Sequence, residues 1–340
     1  MSTETTRSGL TWDRLRIPVV VAVLAALPLL FFDPSYTYIS RLFILTLVFA
    51  TLALALNIVF GHTDQLFLFV GALTGIGAYA TALTADALGV SPWVTLLFGA
   101  TLAGVLGALV CYVAARRRFT VILIAILTLS LQLAIIEIFV GARDITGGST
   151  GFRFSGLGLE SVQNALGVHE HMVLYYVVLA LLTGVLALYH YIRNSKYGMA
   201  FDAIRQDEIA AEAIGVDVVR YKTLAGFVSA FVIGLTGPMY AQLESLVLPG
   251  MFEFNVIDVL VLIILIVGGI RTMLGPIVGA AVIIYVNEEL QATGQWRTVV
   301  FGFLLIVLFL YFRSGIVPYL DDVLNERLGL KARIRSLVAD

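Results

Sequence analysis

Apolar runs of membrane length, separated by short polar segments, recur from Ile17 to Arg313, and they constrain this chain more than any other feature. The hydrocarbon core of a bilayer is about 30 Å thick and takes roughly 20 apolar residues to cross as a helix. Runs of that order lie at 17–33, 41–60, 66–85, 92–114, 119–140, 171–193, 223–242, 256–270, 275–290 and 298–313. The first, eighth and ninth are short or interrupted by glycine. The reading is an all-α polytopic membrane protein with about ten transmembrane helices. Charged residues make up only 13% of the 340, against about 25% in a soluble domain. Most of the chain must therefore face lipid or pack between helices that do. An N-terminal tail over 1–16, a membrane domain over 17–313 and a C-terminal tail over 314–340 follow, with a long polar loop at 194–222 inside the membrane domain.

Basic residues give the orientation, because loops retained in the cytoplasm carry an excess of Lys and Arg. Arg116–Arg118, the five basic residues from Arg193 to Lys222 and the five from Arg313 to Arg335 form three clusters. Threading the spans from a cytoplasmic N-terminus puts all three clusters inside, together with both termini. The same threading puts outside the segment 243–255, which has no Lys or Arg, and 141–170, which has only Arg143 and Arg153. The expected location is the plasma or inner membrane of the cell, with cytoplasmic termini. Arg7, Arg14 and Arg16 ahead of Ile17–Phe32 resemble a signal peptide. No convincing small-x-small cleavage pattern follows, so this run reads as an uncleaved first helix.

Two breaks interrupt the apolar pattern. Gly61-His-Thr-Asp-Gln65 stops one run before Gly-rich sequence resumes through Tyr79, and Gly268-Gly-Ile-Arg-Thr-Met-Leu-Gly-Pro276 does the same in the second half. Gly71 and Gly75, then Gly275 and Gly279, have the spacing that allows helices to approach closely. Paired Gly/Pro-interrupted segments commonly border the substrate path of a transporter; tight hairpins without a pathway role are the competing reading. The candidates for the translocation path are Asn57, Gln65, Gly71, Gly75, Gly77 and Gln132. Asn57 and Gln132 lie deep in their spans and suit either a path lining or an interhelical hydrogen bond. Glu137 and Asp258 lie close to span ends, where they are expected to reach the interface.

Enzymatic readings fare poorly. Gly147-Gly148-Ser149-Thr150-Gly151 satisfies G-x-S-x-G, but a nucleophile elbow needs a strand-to-helix turn on an α/β sheet. An outer loop turning on glycines is the better reading. His169-Glu-His171 lacks a third, distant ligand, and no H-E-x-x-H occurs, so no metal is expected. The three lysines, Lys196, Lys222 and Lys331, none of them following a glycine, leave no G-x-x-x-x-G-K-[ST] loop. The chain is not expected to hydrolyse ATP or to bind a cofactor. Cys111 is the sole cysteine, sits in an apolar span and is expected to pack in the interior. A net charge of −2 gives no hint of nucleic acid.

The polar segment Arg205–Arg220 reads as a small capped helix outside the bilayer. Asp207 can accept an orphan N–H of the first turn, Glu208 suits the positive end of the helix dipole and Gly215 can take the left-handed conformation that ends a helix. Asp217 can cap the next span. Ile209, Ala210, Ala213 and Ile214 share one face, while Glu208 and Glu212 sit together at i, i+4 and repel slightly, which suits a basic partner. A small helix with an alanine-rich docking face, hung from a membrane domain, is what a coupling element needs.

Several motifs, in order, resemble the inner-membrane permeases of branched-chain amino-acid ABC transporters. Leu54–Gly61, Gln65 and Gly75-Ile-Gly-Ala-Tyr79 resemble the first-half signature, and Ile145–Gly151 the outer loop. Tyr197-Gly198, Ala203-Ile-Arg205, Glu208–Gly215 and Arg220-Tyr-Lys222 resemble the coupling region. Gly268-Gly, Gly275-Pro276 and Gly279-Ala280 look like the closing motif. The outer loop and length look more like the LivM-type than the shorter LivH-type. Against the general coupling motif Glu-Ala-Ala-x-x-x-Gly, aligned on Gly215, Ile209 stands at the glutamate position and Glu208 one residue early.

The resemblance implies a type II-like importer core and ATPase coupling through Asp207, Glu208, Ala210, Ala211, Glu212 and Gly215. It implies a second related permease, two cytoplasmic ATPase subunits that use ATP and Mg, an extracytoplasmic substrate-binding protein, and a small-molecule substrate. That substrate would be a branched-chain amino acid or a related polar solute such as urea or an amide. The alternative is a stand-alone ion-coupled secondary transporter, which would call for a deep acid or an ion-binding cluster that the sequence does not clearly supply.

Overall fold

The computed structural model describes residues 17–28, 37–290, 299–300, 302–303, 306 and 315–320. The N-terminal tail, most of the tenth apolar run and most of the C-terminal tail lie outside the described residues.

Among the described residues, five helices are long and apolar enough to cross a membrane: Tyr38–Gly61, Pro92–Arg116 (α4), Val121–Gly141 (α5), Glu170–Arg193 (α8) and Val218–Glu244 (α11). The first of these is α2, Thr37–Leu56, prolonged by one π-helical turn over Asn57–Gly61. Ile17–Pro28 (α1) is shorter. Two small helices, Arg143–Thr146 (α6) and Glu160–Leu166 (α7), decorate the segment before α8, and Lys196–Gln206 (α9) and Glu208–Ala213 (α10) fill the polar loop before α11. The third, eighth and ninth runs become Val70–Leu88 (α3), Asp258–Gly268 (α12) and Gly275–Glu289 (α13).

Those three differ from the sequence expectation in length. The third run does not become helical at 66; residues 64–69 are non-helical and α3 starts at Val70. The eighth and ninth are helices of 11 and 15 residues, too short for a 30 Å core at about 1.5 Å per residue.

Glycine determines how the centre packs. Cβ atoms on Gly77 and Gly237 of α3 and α11 would strike the Gly234 and Thr74 carbonyls of the facing helix, and one on Gly99 of α4 would lie 2.7 Å from the Gly77 carbonyl. The α3, α4 and α11 backbones therefore touch, which side chains would prevent. Cys111 is buried against Gly226 in the same seam. Gly268, Gly275 and Gly279 bring α12 and α13 together in the same way. At one end of the bundle, Phe152–Arg153 and Leu246–Val247 form a two-stranded antiparallel pair, with Phe152 opposite Val247. This joins the two segments that the charge pattern assigns to the outside.

Candidate coupling segment and the two helix breaks

The candidate coupling segment is built by side-chain caps. Ser195 starts α9 by accepting the Tyr197 N–H at 3.2 Å. Asp207 ends α9 in extended backbone and starts α10, its Oδ1 accepting the N–H groups of Ile209 at 2.8 Å and Ala210 at 3.1 Å. Past α10, Gly215 adopts φ +89°. Its N–H donates to the Glu212 carbonyl and that of Val216 to the Ala211 carbonyl, both at 3.0 Å, closing off carbonyls that a helix end leaves orphaned. Asp217 then caps α11 at the Arg220 N–H.

The face expected to dock, Ile209, Ala210, Ala213 and Ile214, is exposed on α10, whereas the coupling candidate Ala211 turns inward. Ala211 is only 2% exposed and packs with Ile204 and Val218 in a small cluster of its own. Ala210 is exposed, and the large apolar groups presented outward are Ile209 at 69% and Ile214 at 76%. The two acids also find partners within the chain. Glu208 pairs with Lys222, whose own side chain is buried, and Glu212 pairs with Arg118 at 2.8 Å. The second pair ties α10 to the turn between α4 and α5, across 94 residues of sequence.

The two breaks identified in the sequence lie against each other. Asn57, fully buried in the π-helical turn, accepts the Arg271 N–H at 2.8 Å and donates to the Thr272 carbonyl at 2.9 Å. Arg271 Nε donates to the Gly61 carbonyl at 2.8 Å, and its guanidinium lies 3.6 Å from Asp64. Asp64 and Arg271 hold φ of 51° and 67°, a left-handed backbone uncommon outside glycine, so both turns are held tightly. Asn57 also donates to the Tyr189 hydroxyl at 3.3 Å, which lies 2.9 Å from His62 Nε2. Burial pushes the His62 imidazole down to about 4, so it is neutral at physiological pH and shares a hydrogen bond with the Tyr189 hydroxyl. Gln65 donates to Thr63 at 3.0 Å and, at 3.4 Å, to the backbone carbonyl of Lys222, the residue that pairs with Glu208. Its buried Oε1 has no hydrogen-bond partner among the described residues.

Polar side chains from other helices hold the buried start of α3. Asp258 accepts the N–H groups of Val70 at 2.6 Å and Gly71 at 3.2 Å; Gln132 accepts that of Ala72 at 2.6 Å; Thr128 accepts that of Leu68 at 3.0 Å. Gln132 also donates to the Phe252 carbonyl at 2.7 Å. The Val70, Gly71 and Ala72 donors are ones a helix start leaves unpaired, and an uncompensated amide costs several kcal/mol in hydrocarbon (roughly 4–8). Asp258, expected at the interface, is instead buried, because its carboxylate is the acceptor for another helix's first turn. Glu137 is exposed on α5, as is Ser130 two turns earlier on the same face. Gly71 leaves room for this cluster, since a Cβ there would meet Phe252, Asp258 and Gln132. Gly75 lies under the rings of Phe139 and Phe252. All six path candidates are buried within the chain.

Ser149 lies in a three-residue 3₁₀ turn, Gly148–Thr150, flanked by glycines at positive φ. His169 caps α8 through its own Nδ1 at the His171 N–H. Among the described residues, no three His, Cys, Asp or Glu side chains converge on a common point.

The family model for the branched-chain amino acid transport system permease component matches residues 38–310. The high-affinity branched-chain amino acid transport system permease protein LivM of Salmonella typhimurium (strain LT2) is 26% identical over 305 residues, 84% of this chain and 71% of the relative. LivM of Escherichia coli (strain K12) is 27% identical over the same shares. The probable branched-chain amino acid transport permease protein LivH of Methanocaldococcus jannaschii is 25% identical over 242 residues, 68% of this chain and 73% of the relative. No solved structure matches the chain.

Proposed function

The chain belongs to the branched-chain amino acid transport permease family, and from that premise we propose that it forms half of the membrane pathway of an ATP-driven importer, docked on its ATPase through α10. It is a multi-pass membrane permease, and membership in a family of transport-system components sets aside the stand-alone ion-coupled carrier. The observation that carries the docking assignment is the pair of exposed isoleucines, Ile209 and Ile214, on a helix whose two ends are fixed by Asp207 and Gly215. Apolar side chains this exposed on a short polar segment suit a partner's groove. Ala211, Glu208 and Glu212 then hold α10 against the membrane domain, so that force applied to α10 reaches α11 through Lys222 and the α4–α5 turn through Arg118.

The full subunit in this reading has about ten spans in a type II-like core with both termini cytoplasmic. It works with a second related permease, two cytoplasmic ATPase subunits that bind ATP and Mg, and an external binding protein that delivers the substrate. The substrate is a branched-chain amino acid, or a related small polar solute such as urea or an amide. The path lies beside the joined breaks: Asn57, Gln65, Gly71, Gly75, Gly77 and Gln132 shape its wall from within. The face of α5 that carries Ser130 and Glu137 confronts the second permease across it. An acid on a face that would otherwise meet lipid supports this placement of α5.

The test is uptake by the complete transporter in liposomes, with the binding protein and ATP on opposite sides. Uptake of leucine that requires both, and that fails on Ile209→Glu with Ile214→Glu, is expected. ATP-independent uptake by this chain alone would overturn the reading.

A further inference from the structure

A groove of about 1070 Å³ runs between the end of α4 and the start of α11, beside the coupling segment. Its mouth is basic. Arg116, Lys196 and Arg220 line it and are exposed, with Asp217 as the acid among the lining residues. Asp217 is occupied at the Arg220 backbone N–H, and Lys196 lies 5.5 Å over the Tyr197 ring. Among the described residues, none of the three cationic groups has a carboxylate partner. Tyr112 and Tyr197 stand at the level of the charges, and Leu224 and Phe227 continue the wall along α11. From Arg220 to Phe227 the wall descends about 10 Å at the helical rise, into a helix long and apolar enough to cross a membrane.

We propose that this groove binds an anionic glycerophospholipid, with its phosphate between Arg116, Lys196 and Arg220 and one acyl chain against Leu224 and Phe227. Three things favour this occupant. Excess positive charge at the aqueous end of two membrane helices is complementary to an anionic headgroup. Tyrosines at that level suit the headgroup region. A soluble protein could meet the cations but could not follow the apolar wall into hydrocarbon. A neighbouring membrane helix could cover the wall but would leave three cations unmet. The proposal requires only that α4 and α11 span the membrane, so it can fail independently of the ATPase docking.

The test places a reporter on the apolar wall. The full chain carrying Leu224→Trp, in mixed bilayers, is quenched in turn by phosphatidylglycerol and by phosphatidylcholine with brominated acyl chains, with the native chain as background. Quenching should show a preference of roughly tenfold for phosphatidylglycerol. The preference should disappear in Arg116→Gln, Lys196→Gln, Arg220→Gln and persist in Arg117→Gln, Arg193→Gln, which removes cations outside the groove. Equal quenching by the two lipids means ordinary boundary lipid and overturns the proposal. Quenching by neither means that protein fills the groove, and a preference abolished by excess inorganic phosphate at constant ionic strength assigns the cations to a free anion; both overturn it as well. The comparison of the two lipids in Leu224→Trp alone decides the matter even if the triple variant fails to fold.

Discussion

Asn57 and Arg271, 214 residues apart, close the two helix breaks onto each other: the Asn57 amide oxygen accepts the Arg271 N–H at 2.8 Å. The same side chain donates to the Thr272 carbonyl and to Tyr189, so one buried amide satisfies groups from two other segments. Removing it strands the Arg271 donor and the Thr272 acceptor, both part-buried, each worth at most about 1–3 kcal/mol. Asn57→Ala should therefore lower stability by about 3 kcal/mol, read as a lower unfolding midpoint in detergent. Asn57→Asp keeps the acceptor for Arg271 but loses both donations, and should fall between the two. An unchanged midpoint for Asn57→Ala would show that the breaks hold without this link.

Asp258 and Gln132 substitute for water at the start of α3. Asp258→Ala leaves the Val70 and Gly71 amides without acceptors and should speed their hydrogen exchange, with that of Ala72, more than exchange elsewhere in α3. Asp258→Asn offers one acceptor where two are used, and should give an intermediate rate. Exchange by mass spectrometry on peptides covering 66–75 is the measurement, and equal protection in all three proteins would show that the carboxylate does not hold this helix start.

What could be read from the sequence, and what could not, divides by distance along the chain. The five long spans are carried by local hydropathy, and the caps at Asp207, Gly215 and Asp217 by rules that need only a few neighbouring residues. The start of α3 could not be read that way. Leu66-Phe-Leu-Phe69 looks like more helix, and the groups that let it remain extended come from Thr128, Gln132 and Asp258, 60 to 188 residues away. Asp258 looked interfacial for the same reason, since it opens its own helix but serves another. In the coupling segment, the spacing of Glu208 and Glu212 was visible but not their partners Lys222 and Arg118. The inward turn of Ala211 depends on Ile204 and Val218, which no local pattern singles out. Both breaks were marked by glycine and polar residues; their contact with each other was not.

His62 should make stability depend on pH. Its imidazole is held at about 4 by burial, against about 6.5 in an unfolded chain. Below pH 6.5 the unfolded state takes up a proton that the folded state refuses until about pH 4. The stability His62 contributes is therefore complete above pH 6.5 and is lost as the pH falls towards 4, amounting to about 2 kcal/mol between pH 7 and 5. Unfolding midpoints at pH 7 and 5 should fall less in His62→Gln than in the wild type; parallel falls would mean that His62 is not the group responsible.

The coupling segment allows docking to be separated from folding. Ile209 and Ile214 are 69% and 76% exposed and bury little within the chain, so glutamates there should leave its unfolding midpoint nearly unchanged. If both isoleucines enter a groove on the ATPase, each loses about 1.5–3 kcal/mol of burial, and the double variant should fail to co-purify with that subunit. Ala211→Trp acts differently. A side chain of that size cannot fit between Ile204 and Val218, so it should displace α10 and lower the midpoint while also weakening docking. Glu212→Arg sets a like charge against Arg118, but that pair is exposed and worth about 1 kcal/mol or less, so its effect should be small unless the partner's rim is itself basic. Co-purification and binding-protein-stimulated ATP hydrolysis, measured beside unfolding midpoints for the three variants, distinguish these outcomes. Should the isoleucine variant keep wild-type co-purification and stimulation, α10 does not present the docking face. Loss of both at an unchanged midpoint assigns the contact to Ile209 and Ile214 and leaves Ala211 as the residue that holds them in place.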